Sequence, residues 1–179
     1  MDTQMESQPT PKPPKMLLDW SAVVWAGVIT GVLSLPLLFF VLPALINLDT
    51  SSIIQYWASM LLGSSVISVP ASFSIGHLLV AIVTHVALTL LLTTIIASIF
   101  HRFGTLIGIT GGALVGLAYY LINIYSMTYF FSWMYLFEGA AFLLFNMLIG
   151  GMAGFFYESL EIEQWQDSEK FQLSSFGTH

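Results

Sequence analysis

Residues 76–125 read GHLLVAIVTHVALTLLLTTIIASIF (76–100), HRF (101–103) and GTLIGITGGALVGLAYYLINIY (104–125). Each apolar run reaches the length of about 20 residues that a helix needs to cross a hydrocarbon core of about 30 Å. Neither contains Asp, Glu, Lys or Arg. The stretch therefore predicts two consecutive membrane spans joined by a very short polar turn.

Two further runs meet the same test, at about 20–45 and about 134–157, and Glu138 is the only acid inside any of the four. The fold predicted is an all-α integral membrane four-helix bundle. Pro36 and Pro43 lie in the outer half of the first span, where each removes a backbone donor, so its last turns should be irregular. Segment 52–69 is different in kind. Ile53, Ile54, Trp57, Met60 and Leu61 fall on one helical face, while Gln55, Ser59, Ser64 and Ser65 interrupt hydrophobicity elsewhere. Gly63 and Pro70 bound it. This predicts a short additional helix between the first and second spans, interfacial or re-entrant, and no fifth crossing.

Composition agrees. The chain is 56% hydrophobic and 8% charged, against about 25% charged in soluble domains, and its mean hydropathy is +0.84. A soluble domain is excluded, because so few charges cannot cover a water-facing surface. Without cysteine there is no disulfide scaffold and no thiolate-ligated zinc or iron-sulfur site. A net charge of -6 and a pI near 4.9 argue against nucleic acid as a partner.

Charge placement sets the orientation. With four crossings, Lys12, Lys15, Arg102 and Lys170 fall on one side, and the opposite loops, 46–75 and 127–133, carry no Lys or Arg. The positive-inside rule then places both termini in the cytoplasm. The first span is too long for the core of a cleavable signal and should stay attached. Residues 1–19, proline-rich and aperiodic, read as a flexible cytoplasmic tail, 20–157 as the membrane domain, and 158–179, with Glu158, Glu161, Glu163, Asp167 and Glu169, as an acidic cytoplasmic tail.

In lipid, helices associate through close packing and interhelical hydrogen bonds, which small residues at four-residue spacing allow. Gly27 and Gly31 form one such pair, Gly150 and Gly154 another, and Gly104, Gly108, Gly112 and Gly116 form a ladder along the third span. Either an intramolecular seam or a homodimer contact would use these faces, and the first is the expectation. Trp20, Trp57, Tyr129 and Trp133 are placed as anchors at the headgroup level.

Polar groups within spans are costly unless partnered, which makes them the candidate functional positions. His85 lies about 13 Å into the second span and Asn146 about 18 Å into the fourth, a similar depth, so an Asn146 to His85 hydrogen bond is one expectation. Local bonding of His85 to backbone, Thr84 or Thr89 is the other. Asn123, one turn from Tyr119, and Glu138 lie nearer the non-cytoplasmic face. Haem held by two histidines would need a partner at the depth of His85, and His77, His101 and His179 do not supply one. No Walker loop, GxSxG, HExxH or paired carboxylates occur, so neither an enzyme nor a cofactor is expected.

The strings PASFSIGHLLVAIVTHVALTLLL, HRFG and GGALVGLAYYLINIYSMTYFFSW resemble a family of small four-span bacterial membrane proteins of unestablished function, some of them labelled sodium:proline symporters. The family pattern places a proline before the second span, a histidine within it, glycines in the third span followed by Tyr, Asn and Tyr, and then Phe-Pro-Trp. Here Pro70, His85, Gly112, Gly116, Tyr120, Asn123, Tyr125, Phe131, Ser132 and Trp133 occupy those places, and the resemblance runs from about Ala22 to Tyr157. The family's second histidine and its arginine are replaced by Asn146 and Glu138. Four spans with no internal repeat disfavour the transport label for one copy of the chain. The expected role is a non-enzymatic scaffold or accessory subunit, and the partners expected are the lipid bilayer and either further copies of the chain, as a homo-oligomer, or a larger membrane complex. The alternative is a small-solute or ion transporter formed by an oligomer, its polar interior lined by His85, Asn123, Glu138 and Asn146.

Overall fold

The computed structural model describes residues 18–101 and 103–161. The tails at 1–17 and 162–179, and Arg102 with its place in the charge pattern, lie outside the described residues. All regular structure among the described residues is helical, and four helices are long and apolar enough to cross a membrane: Trp20–Ile46, Ile75–Phe100, Thr105–Tyr129 and Ala140–Leu160.

The first begins at Asp19, whose carboxylate accepts from the backbone N–H groups of Ser21 (2.9 Å) and Ala22 (3.1 Å), supplying partners to two donors that a helix start leaves unpaired. Helix α1 (Trp20–Pro36) then passes through a π-helical turn, Leu37–Val41, into α2 (Leu42–Ile46). The two prolines account for the irregularity expected here. Pro43 has no N–H for the Phe39 carbonyl four residues back, and the Thr50 hydroxyl donates to that carbonyl instead, at 2.8 Å. Asn47, in the left-handed conformation at φ 55°, ends the helix, and the Leu48 N–H closes onto the Pro43 carbonyl at 3.0 Å.

Helix α3 (Thr50–Leu62) is the additional short helix and packs on α4 (Ile75–Phe100). Ile53, Ile54 and Trp57 are buried as expected, but Leu61 is exposed and Gln55 and Ser59 take its place inside. The side chain of Gln55 holds the loop that follows. Its Oε1 accepts from the Ser68 N–H (2.9 Å), and its Nε2 donates to the Ser72 carbonyl (2.9 Å) and the Ser68 hydroxyl (3.0 Å). Trp57 is likewise not an interfacial anchor. It is buried among Trp133, Phe137 and Phe142, while Trp133 stacks on Tyr56 with ring centroids 5.1 Å apart. Of the expected anchors, Trp20 and Tyr129 are exposed.

After α5 (Thr105–Tyr125), two short 3₁₀ turns lead to α6 (Ala140–Leu160). The fourth span therefore starts at Ala140 and not at about 134. Residues 132–137 form a separate 3₁₀ turn with Met134 and Phe137 buried. Gly139 then breaks the backbone at φ 151°, and its N–H turns to the Tyr120 hydroxyl at 3.1 Å.

The helices meet through their glycines. A Cβ on Gly112 would overlap the Gly150 carbonyl, one on Gly116 the Asn146 carbonyl, and one on Gly154 the Gly108 carbonyl. Each four-residue step up α5 meets a four-residue step down α6, so the ladder is an antiparallel seam within the chain. Gly27 and Gly31 make a second seam, against Leu90 and against Val86 and Thr89 of α4. Gly104 belongs to neither. It precedes α5 at φ 85° with no atom near its missing Cβ, so the left-handed backbone at the turn explains it.

Candidate functional site

The interface of α1 with α4 is lined by small and polar groups. Thr30 and Ser34 continue the face of Gly27 and Gly31 and are fully buried. The close approach at Gly31 brings Ser34 against His85, with Oγ and Nε2 2.7 Å apart. Ser34 Oγ also lies 3.1 Å from the Gly31 carbonyl, which has only lone pairs to offer. With the hydroxyl hydrogen on that carbonyl, His85 Nε2–H donates to Ser34, and Nδ1 is left as an acceptor. One turn further, the Thr89 hydroxyl lies 2.9 Å from the Val86 carbonyl and 3.3 Å from the Gly27 carbonyl across the seam.

Neither expectation for His85 describes this arrangement. Asn146 is not its partner, since Asn146 Nδ2 donates to the Phe142 carbonyl one turn back, at 2.7 Å. Nor is the bond local, because Ser34 sits on another helix. Ser34 lies seven residues after Gly27 and three after Gly31, so the continuation of a glycine face by a hydroxyl was the available signal. Replacing Ser34 by Ala should cost about 1 kcal/mol, the scale of an interhelical hydrogen bond in a membrane protein. Titration of the reconstituted protein into a denaturing detergent measures it, and an unchanged midpoint would remove this bond from the account of the fold.

The other side of His85 faces a cavity of about 30 Å³ between α3, α4, α5 and α6, whose polar lining is Trp57, His85, Thr89, Tyr119, Asn123 and Asn146. Three of the four candidate positions thus meet at one place: His85, Asn123 and Asn146. Asn123 comes from α5, one turn after Tyr119, and is buried. Glu138 does not join them. It is exposed, in the turn that precedes Gly139. The cavity wall carries no charged side chain, and its remaining surface is Leu, Ile, Met and Phe. Trp57 also lines the cavity, and its indole N–H is fully buried with no hydrogen-bond partner among the described residues.

A second constellation lies where α4 ends and α6 ends. His101 Nδ1 is 2.8 Å from the Tyr157 hydroxyl and 2.5 Å from Glu161 Oε1. It ties the ends of two spans together through side chains 56 and 60 positions apart in sequence, which no local pattern marks. Among the described residues no group of three or more His, Asp or Glu is placed to hold a metal ion. Comparison of the chain with known protein families, curated proteins and solved structures gives no match in any of the three.

Proposed function

We propose that the chain is a multi-pass protein of a bacterial inner (plasma) membrane, both termini cytoplasmic, acting as a non-enzymatic scaffold or accessory subunit. The observation that carries this reading is how the buried polar groups are used. His85 is held by Ser34, Asn146 by its own helix and Gln55 by the loop after α3. The His85 and Gln55 bonds each fix one piece of the chain against another, and the Asn146 bond satisfies its amide within α6. The glycine seams do the same for whole helices, and in lipid such packing takes the place of a hydrophobic driving force. The four basic residues on one side of the spans support the orientation. The resemblance to the small four-span bacterial family supports the setting. A scaffold needs a rigid body with a lipid-facing surface, and exposed apolar side chains such as Val24, Leu79, Leu114 and Leu144 supply one.

One observation favours a second reading, a small-solute or ion transporter made by an oligomer: His85, Asn123 and Asn146 share a cavity. The two readings separate in one experiment. Full-length protein carrying two different tags is co-expressed in its host, purified in mild detergent through both tags, and its subunit composition determined. A different protein retained at fixed stoichiometry is the result expected of an accessory subunit. Several copies of this chain with no other subunit would overturn that reading in favour of the second.

A further inference from the structure

Three helices bring amide or imidazole groups to the cavity beside His85. His85 on α4, Asn123 on α5 and Asn146 on α6 line it, and they are 3%, 5% and 3% exposed. The bonds they make define what each has to spare. His85 Nε2 is committed to Ser34, so Nδ1 keeps a lone pair. Asn146 Nδ2 gives one hydrogen to the Phe142 carbonyl, which leaves Oδ1 and a second N–H. Asn123 has within hydrogen-bonding reach the Tyr119 phenol, another cavity-lining group. The Trp57 N–H is fully enclosed and takes no part. His85, Asn123 and Asn146, by contrast, have no fully enclosed polar atom without a partner, so their spare atoms keep some surface, and for side chains this deeply buried that surface is the cavity.

Size and charge then select the occupant. The cavity measures about 30 Å³, above the roughly 10–15 Å³ that one water requires and too small for an organic solute. No Asp, Glu, Lys or Arg lines it, so an ion would exchange its hydration for neutral dipoles alone. With acceptors at His85 and Asn146 and donors on the two amides, the occupant must both donate and accept. We propose that the cavity binds one water molecule, which donates to His85 Nδ1 and Asn146 Oδ1 and accepts from the Asn123 amide. At this depth the direct bonds of His85 and Asn146 run to α1 and within α6, and the water is what joins α4, α5 and α6. The site does not depend on the scaffold reading, because a water held by neutral groups belongs equally in a transporter.

The test uses the full-length protein in lipid nanodiscs and hydroxyl radicals made in place by a brief X-ray pulse, which splits bound water as well as bulk water. A radical born in the cavity meets Met134, which lines it and is 3% exposed. Met147 and Met152 of α6 have the same chemistry and do not line the cavity. Met134 should be oxidised about fivefold faster than either, because an ordered water in contact takes the place of a diffusing radical. A scavenger confined to the bulk should abolish labelling of Tyr129, 89% exposed, and spare that of Met134. Asn123→Leu and Asn146→Leu each remove one helix's polar atoms at nearly constant volume and should bring the Met134 rate down to that of Met147. Equal oxidation of the three methionines, or loss of Met134 labelling together with that of Tyr129, would overturn the proposal in the wild-type protein alone. An undiminished Met134 rate in both folded variants would do the same. Protection of Met134 by sodium chloride, compared with caesium chloride at equal ionic strength, would put a cation in the cavity and overturn it as well.

Discussion

Gly112→Ala, the addition of one methyl group, is expected to destabilise the protein by about 3 kcal/mol, and Gly112→Val by more. The ordinary effect of this substitution within a helix has the opposite sign, because Ala gains up to about 1 kcal/mol over Gly from lower backbone entropy. The reversal comes from the seam. The Gly112 Cβ would overlap the Gly150 carbonyl, and the atoms it meets are backbone, which cannot rotate out of the way as a side chain can. The only relief is separation of α5 from α6, which would also pull Gly108 from Gly154 and Gly116 from Asn146. Gly151 provides the control within the same pair of helices, since its nearest neighbour is the Ile109 carbonyl at an ordinary 3.5 Å. Gly151→Ala should leave the unfolding midpoint unchanged or raise it. Denaturing-detergent titrations of Gly112→Ala, Gly150→Ala and Gly151→Ala would settle the matter. If all three shift alike, the four-residue ladder has no structural role of the kind argued.

The same ladder marks how far the sequence could be read. Period-four glycine on two spans announced a close contact, because backbones approach only where Cβ atoms are missing. Whether the partner is another helix of this chain or another copy depends on the register between α5 and α6, which no single span encodes. Gly104 shows the converse error: it fits the period, yet its left-handed backbone before α5 is what requires glycine. Span length and apolar content located the helices, since both are additive along the chain. The start of the fourth span was misplaced because residues 134–137 are as apolar as a helix, and what breaks it is Gly139 together with a hydroxyl from Tyr120, nineteen residues away. For the polar groups, depth along each helix placed His85 and Asn146 at one level, and both line one cavity; Asn123, read as nearer the non-cytoplasmic face, lines it too. Azimuth, the direction each faces, was not available, so Ser34 was missed as the partner of His85.

Gln55→Leu is expected to release the loop after α3 while leaving the four long helices in place. Judged by its type, Gln55 seemed to interrupt the apolar face of α3, whereas the side chain is 1% exposed and does work that no apolar residue could do. Between α3 and α4 the chain makes one short 3₁₀ turn, Ser64–Val66, and otherwise has no regular structure from Gly63 to Ser74, so its backbone groups need partners from elsewhere. One amide side chain serves both signs, accepting from the Ser68 N–H and donating to the Ser72 carbonyl. Leu has nearly the same volume and neither function. It leaves a donor and an acceptor facing an apolar surface, at about 1–3 kcal/mol for each stranded group. The loop escapes that penalty by moving off α3 into water or the headgroups. Hydrogen exchange at the Ser68 amide should accelerate about thirtyfold for a local loss of about 2 kcal/mol, with amides in the middle of α4 and α6 unaffected. Gln55→Glu refines the argument. Its carboxylate still accepts from the Ser68 N–H but meets the Ser72 carbonyl oxygen with a lone pair instead of a hydrogen, so exchange at Ser68 should fall between wild type and Leu.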